Sequence, residues 1–324
     1  MNHISFENTD KRCDLHCHST FSDGTLTPAE LVKLAEKSNI SALALTDHNT
    51  SKGLAEFMEA GRTGGVVTVP GCEFSTEWNS IEIHIVGLFF RRECWSEIED
   101  FLELAQIAKH NSNMNLIDNL NKAGYKITAE EACALTGGEF NRAHVARVLM
   151  AKGYVASVDE AFDTLLQPGA GFYNPARRIT SVAAIRFIKT YGAAAVMAHG
   201  LLSMSKEQMR DFLPEAKAAG LDAVETRYSE YDEQAVETSV SFAEEFGLLQ
   251  SGGSDFHGQT KPHISLGTGR GSLFVPYEFY ENLRSRSDYD DCRLSTQRGL
   301  IRRSARDSIT AKEADIWINM LPEP

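Results

Sequence analysis

Apolar, strand-like runs in this chain stop again and again at a histidine or a carboxylate. Ser41-Ala42-Leu43-Ala44-Leu45-Thr46 leads into Asp47-His48, and Val66-Val67-Thr68-Val69-Pro70-Gly71 into Cys72-Glu73. Ala193-Ala194-Ala195-Val196-Met197-Ala198 leads into His199, and Leu248-Leu249-Gln250-Ser251-Gly252-Gly253 into Ser254-Asp255-Phe256-His257. Ile81-Glu82-Ile83-His84-Ile85-Val86 alternates, so His84 faces away from Ile81, Ile83 and Ile85. Near the N-terminus stands Cys13-Asp14-Leu15-His16-Cys17-His18-Ser19-Thr20-Phe21-Ser22-Asp23-Gly24. Such side chains at buried strand ends cost on the order of several kcal/mol unless they are paired or bind a metal. A fold that carries all of them has to bring them together.

Helix-like stretches lie between the runs. Thr27, Pro28 and Glu30 form a helix-start signature before Leu31-Val32-Lys33-Leu34-Ala35. Lys206 to Ala219 and Glu233 to Phe246 read as helices flanking the strand Leu221-Asp222-Ala223-Val224-Glu225. This alternation predicts an α/β fold with a parallel sheet or barrel, helices outside, and chemistry at the C-terminal strand ends. The rhythm breaks over residues 95–179, where Ile98–Leu120, Ala143–Lys152 and Val158–Leu166 read as helices. The expected organisation is a discontinuous barrel domain of residues 12–94 and 180–283, a helical insertion of 95–179 serving as a lid, and a polar C-terminal tail of 284–324. Arg298, Arg302, Arg303 and Arg306 in that tail read as a solvated face rather than an RNA grip.

The chain has 324 residues and 42% hydrophobic content, enough for a full core. Its 45 acidic residues against 32 basic ones give a net charge of −13. That balance disfavours long duplex nucleic acid, whose binding relies on many lysines and arginines. A short anionic substrate held by local cations fits. The six cysteines contain no CxxC pair, and neither a signal peptide nor a membrane-length apolar run is evident. A reduced, cytoplasmic protein is expected.

His16 and His18, two residues apart on an extended segment, share a face, which turns Leu15 and Cys17 toward the helix layer. Cys17 is therefore expected to be a packed thiol, and Asp14 an acceptor that fixes the tautomer of a ligand imidazole. A lone His-x-His is common by chance. Here six of the ten histidines sit at strand ends beside Asp, Glu, Gly or Ser, whereas His3, His110 and His263 fit no pattern. Nitrogen and carboxylate donors without thiolate suit Mn²⁺, Zn²⁺ or Fe²⁺, and Mg²⁺ is admitted as well.

Taken together, Asp-Leu-His-Cys-His-Ser…Ser-Asp-Gly, Thr-Asp-His, Gly-Cys-Glu, His84, Ala-His and Gly-Ser-Asp-Phe-His resemble the polymerase and histidinol phosphatase (PHP) family of metal-dependent phosphoesterases. The resemblance covers about Cys13 to Leu273 and lies with the stand-alone branch that carries a helical insertion. Members of that branch include nucleotide 3′,5′-bisphosphate phosphatases and a 5′-to-3′ exoribonuclease. It implies a distorted seven-stranded (β/α) barrel with three divalent metal ions. By that resemblance His16, His18, Glu73 and Asp255 hold one ion. Glu73 bridges to a second held by His84 and His199, and Asp23, His48 and His257 hold the third.

Such a cluster generates a metal-bound hydroxide near neutral pH and offsets phosphate charge, which suits hydrolysis of a phosphate ester of a small nucleotide. In the insertion, Phe140-Asn141-Arg142-Ala143-His144 and Tyr173-Asn174-Pro175-Ala176-Arg177-Arg178 supply Arg142, His144 and Arg177 as expected substrate-binding residues. Arg142 doubles as a charge stabiliser, since a guanidinium matches phosphate oxygens. Relatives usually have Arg-Pro-His and His-Pro where this chain has Ala143 and Gly200. The alternatives are a 5′-to-3′ exoribonuclease on short RNA, with Phe140, Phe172 and Tyr173 for stacking, and a metal-stabilised binding module without turnover. Amide or amine hydrolysis ranks lower, because the expected strand-end lysine is absent. Gly267-Thr268-Gly269-Arg270-Gly271 matches no phosphate-loop pattern and reads as a turn.

Overall fold

The computed structural model describes residues 11–134, 140–176 and 178–290. Among these, 11–100 with 179–290 form one compact unit, and 101–134, 140–176 and 178 form a second. Arg177, Cys292 and the arginines at 298, 302, 303 and 306 lie outside the described residues, as does His3.

The first unit is built on seven strands: β1 (Arg12–Asp14), β2 (Ile40–Leu45), β3 (Val67–Trp78), β4 (Ile81–Leu88), β5 (Ala194–Met197), β6 (Ala223–Tyr228) and β7 (Leu249–Gly253). They pair in sequence order within one sheet. Leu15 N–H donates to Gly252 O at 3.1 Å, and Asp255 N–H to His16 O at 2.8 Å, so the two edges meet and the sheet comes close to a closed barrel. The faces of β2 separate by period two. Ala42 and Ala44 share a cluster with Val196, Ala198 and Ala223, while Leu43 and Leu45 pack with Leu31, Leu54 and Phe57 of the helices Pro28–Lys37 and Leu54–Gly61. Each of these buried large side chains contributes about 1.5–3 kcal/mol. Small alanines on the other face suit the narrow interior of a seven-stranded barrel.

The helix signature at Thr27 is realised in full. Its hydroxyl accepts from Glu30 N–H, and the Glu30 carboxylate accepts from Thr27 N–H. Two expectations for the strands need correction. Glu73 lies in the middle of β3 rather than beyond its end, because the strand continues as a hairpin arm to Trp78. β4 runs antiparallel to both β3 and β5, which interrupts the parallel pattern. The cause is local: Asn79 and Ser80 both adopt left-handed φ, 49° and 65°, in a two-residue turn that leaves no room for a crossover.

The barrel unit also continues past residue 283. Phe279, Tyr280 and Leu283 of the helix Tyr277–Arg284 join the same core cluster as the β2 alanines, and Tyr289 packs against it.

The helical unit has its own core of Leu116, Leu120, Phe140, Val145, Leu149 and Leu166. Its helices are the distal part of Trp95–Lys122, then Ala129–Cys133, Arg142–Ala151 and Val158–Ala161, the last followed by a π-helical turn over Phe162–Leu166.

Closure of the barrel leaves no space beside Gly253. A Cβ there would lie 2.3 Å from His16 Cβ and 2.5 Å from His16 N. Gly65, by contrast, has nothing within 4 Å of a Cβ. Gly253→Ala should therefore lower stability by about 1–3 kcal/mol, while Gly65→Ala stays near wild type. Urea denaturation of both variants checks this; equal midpoints would contradict it.

Candidate metal centre

The joined edges of β1 and β7 bring the first donors together. Past β1 the chain stays extended, with Cys17 bridged to Phe256 and His18 N–H donating to Phe256 O at 2.9 Å. This places His16 and His18 beside Asp255. His18 Nε2 is 3.1 Å and His16 Nε2 3.6 Å from Asp255 Oδ1. Cys17 points away as expected: its thiol donates to Ala44 O at 3.1 Å, and burial pushes its pKa well above the usual thiol value.

Glu73, fully buried, faces five imidazoles. Its Oε2 lies 3.1 Å from His16 Nε2, 3.2 Å from His18 Nε2 and 3.1 Å from His48 Nδ1. Its Oε1 lies 2.8 Å from His84 Nδ1 and 3.1 Å from His199 Nε2. On the outer side, Asp23 Oδ1 is 3.2 Å from His257 Nε2, and Asp23 Oδ2 is 3.9 Å from His48 Nε2. All nine expected ligands thus fall in one cluster. Among the described residues, four sets have donor atoms within 4.8 Å of one another: His18, Asp23, His48 and His257; His16, His18 and Asp255; His16, Glu73 and His199; and His48, Glu73 and His84.

The donor chemistry fits cations. His16 Nδ1 lies 2.8 Å from Glu225 Oε1, and a carboxylate there calls for the proton on Nδ1. The lone pair of Nε2 then faces His18 Nε2 at 3.1 Å and the oxygens of Glu73 and Asp255. A proton on Nε2 would serve one of these acceptors, whereas a cation serves all of them. Among the described residues, His18 Nδ1 and His48 Nδ1 are buried without a hydrogen-bond partner, the latter out of line with Glu73 despite its proximity. Burial pushes the His48 pKa down to about 4, which favours the neutral imidazole that ligates metal. Burial would raise the Glu73 carboxyl, but the neighbouring His16, His18 and His199 outweigh it and hold the group well below its ordinary range.

The backbone is strained where the ligands need it. His199 has φ 29° and Asp255 φ 53°, both in the left-handed region that side chains other than glycine seldom adopt.

Several supporting side chains escape a reading of the sequence. Asp14 does not hold an imidazole. Its carboxylate accepts from Ser254 N–H at 2.8 Å, Ser254 Oγ–H at 2.5 Å and Gly267 N–H at 2.7 Å, so it ties β1 to the β7 end and to the glycine-rich turn. Glu225 takes the role expected of Asp14. Asp47 accepts from Ser19 N–H at 2.7 Å and Ser22 Oγ–H at 2.7 Å, fixing the loop that carries Asp23. Tyr228 OH and Lys261 Nζ donate to Asp255 Oδ2 at 2.8 and 2.7 Å. The one local signal for Glu225 is a carboxylate directly after the apolar pair Ala223-Val224, at the end of the run from Leu221; nothing local marks Tyr228 or Lys261.

Arg142 and His144 sit in the helical unit. Arg142 stacks over Tyr173 at 4.3 Å and donates to Leu166 O at 3.2 Å. His144 Nδ1 accepts from Asn141 N–H at 3.1 Å in a capping box at the helix start.

Comparison with known proteins places these features in context. A PHP domain is matched over residues 14–171. A 5′-3′ exoribonuclease of Haemophilus influenzae is 36% identical over 248 residues, covering 76% of this chain and 90% of that protein. A 3′,5′-nucleoside bisphosphate phosphatase of Chromobacterium violaceum is 30% identical over 255 residues, 75% of this chain and 86% of that protein. A solved Bifidobacterium adolescentis chain, considered a metal-dependent phosphoesterase, superposes with a TM-score of 0.59 at 26% identity, covering 87% of this chain and 98% of that one.

Asp14→Asn replaces one acceptor oxygen with a donor that opposes Ser254 or Gly267. The expected loss is about 1–3 kcal/mol of stability, read as a lower urea midpoint. An unchanged midpoint would show that Asp14 does not join the barrel edges.

Proposed function

The chain belongs to the PHP-domain family and is a metal-dependent phosphoesterase; from that premise we propose that it hydrolyses a phosphate ester of a small nucleotide, such as a nucleoside 3′,5′-bisphosphate. The observation that carries the reading is Glu73, with its two oxygens turned to two different sets of imidazoles. We assign three cations, Mn²⁺, Zn²⁺ or Fe²⁺. His16, His18, Glu73 and Asp255 hold the first, Glu73, His84 and His199 the second, and Asp23, His48 and His257 the third. When bound, such ions lower the pKa of water and offset charge on phosphate oxygens.

The chain's own groups set the rest. Lys261, partly exposed and fixed on Asp255, adds positive charge beside the cluster. We assign substrate binding to Arg142, His144 and Arg177 of the helical insertion. Stacking on Tyr173 orients the Arg142 guanidinium before substrate arrives, which reduces the ordering cost of binding. The net charge of −13 favours a compact anion over a long duplex. We place the protein in the cytoplasm on the strength of its buried thiols Cys13, Cys17, Cys72 and Cys94. No helix among the described residues is long and apolar enough to cross a membrane.

The identity to the Haemophilus influenzae exoribonuclease favours a second reading, stepwise shortening of a short 5′-phosphorylated RNA. Purified protein should release inorganic phosphate from a nucleoside 3′,5′-bisphosphate with Mn²⁺. Release of mononucleotides from an RNA pentamer, at a kcat/KM above that for the bisphosphate, would instead establish the second reading. His16→Ala and Asp255→Asn should each lower turnover by about 10²-fold or more; wild-type turnover in both would reject either reading. Arg142→Ala should lower kcat/KM by about 10–100-fold, mainly through KM, as expected for loss of a charge-assisted hydrogen bond.

A further inference from the structure

Glu225 is a buried carboxylate in β6 that pairs with no lysine or arginine among the described residues. Its two oxygens go to two histidines from different parts of the chain. Oε1 lies 2.8 Å from His16 Nδ1, and Oε2 accepts from the His199 backbone N–H at 2.7 Å. The same two residues meet again on Glu73, where His16 Nε2 reaches Oε2 at 3.1 Å and His199 Nε2 reaches Oε1 at 3.1 Å. Glu73, His16, Glu225 and His199 therefore form a closed ring, through the His199 backbone N–H on the Glu225 side, and the two imidazoles stack at 5.6 Å.

The ring has physical consequences on both sides. On His16, an acceptor at Nδ1 forces the proton onto that nitrogen and leaves the Nε2 lone pair directed at the centre. On His199, the hydrogen bond holds a backbone at φ 29° and ψ 40°, a conformation that costs about 1–3 kcal/mol and persists only when its surroundings enforce it. Without that bond the peptide can relax and carry Nε2 away from Glu73. A buried carboxylate with no cationic side chain is also expensive; cations held by His16 and His199 would compensate its charge.

We propose that Glu225 is a positioning residue that sets the His16 tautomer and pins the His199 turn, so that one side chain governs the binding of two cations. The proposal rests on the assignment of His16 and His199 as cation ligands.

Glu225→Gln tests it, because glutamine has one acceptor where two are needed. If its oxygen serves His199 N–H, its amide opposes His16 Nδ1–H and drives the proton to Nε2, which removes a ligand. If its oxygen serves His16, two N–H groups collide at the His199 turn. Calorimetric titration of chelator-stripped protein with Mn²⁺ should show cation affinity about 10–100-fold weaker than wild type. Far-UV circular dichroism should be unchanged, and turnover should recover toward wild type at saturating Mn²⁺. Wild-type affinity in the variant would overturn the proposal and leave the metal centre intact. Absence of cation binding by the wild-type protein would overturn the centre itself. Should the variant fail to fold, long-range ¹H–¹⁵N spectra of the Zn²⁺-loaded wild type still decide, with His16 identified by its loss in His16→Asn. A proton on His16 Nδ1 supports the proposal, and a proton on Nε2 overturns it.

Discussion

Five imidazoles converge on one buried carboxylate. Glu73 receives His16, His18 and His48 on one oxygen and His84 and His199 on the other. The arrangement is unstable by itself, since the lone pairs of several rings point into the same small volume. Bound cations would turn that repulsion into coordination, and the remainder of the barrel unit holds the donors close enough for it. Strand pairing does most of this: β3 carries Glu73, β4 carries His84 on a hairpin arm, and the joined β1 and β7 edges bring His16 and His18 to Asp255.

Four buried acids show how environment divides one chemistry into several roles. Among the described residues, the Glu73 oxygens face imidazoles. Glu225 faces one imidazole and one peptide N–H. Asp14 and Asp47 face peptide and serine donors and hold backbone in place. Burial pushes the Asp14 carboxyl above its usual pKa, and the donors of Ser254, Gly267 and His16 oppose that rise. The two residues with left-handed backbone in the centre, His199 and Asp255, are each restrained by such contacts. Glu225 holds His199; Tyr228 and Lys261 hold Asp255.

Much of this was legible in the sequence, for identifiable reasons. A polar ligand after an apolar strand leaves a local trace, so His48, His199, Asp255 and His257 could be placed from their neighbours alone. His84 was legible because period-two alternation turns it from Ile83 and Ile85. Glu73 is legible as a ligand but not as a mid-strand residue, because the Asn79-Ser80 turn that extends β3 into a hairpin carries no glycine or proline signal. Contacts between distant segments left no trace. The partner of His16 lies 209 residues away in Glu225, and that of Asp14 lies 240 residues away in Ser254. Chemical complementarity suggested Asp14 as the imidazole's acceptor; only the register of β1 against the β7 end shows that its oxygens are already taken. Arg142 stands out in the sequence as a phosphate partner, but its stacking on Tyr173 depends on packing that joins separate segments of the helical unit.

We propose that these side chains form a shared cation centre around Glu73. Anomalous diffraction from crystals grown with Mn²⁺, recorded on both sides of the manganese edge, tests it most directly. Two peaks are expected beside the Glu73 carboxylate, one toward His16, His18 and Asp255 and one toward His84 and His199, with a third among Asp23, His48 and His257. Manganese bound elsewhere, or electron density showing Glu73 hydrogen-bonded to protonated imidazoles with no anomalous signal beside it, would contradict it.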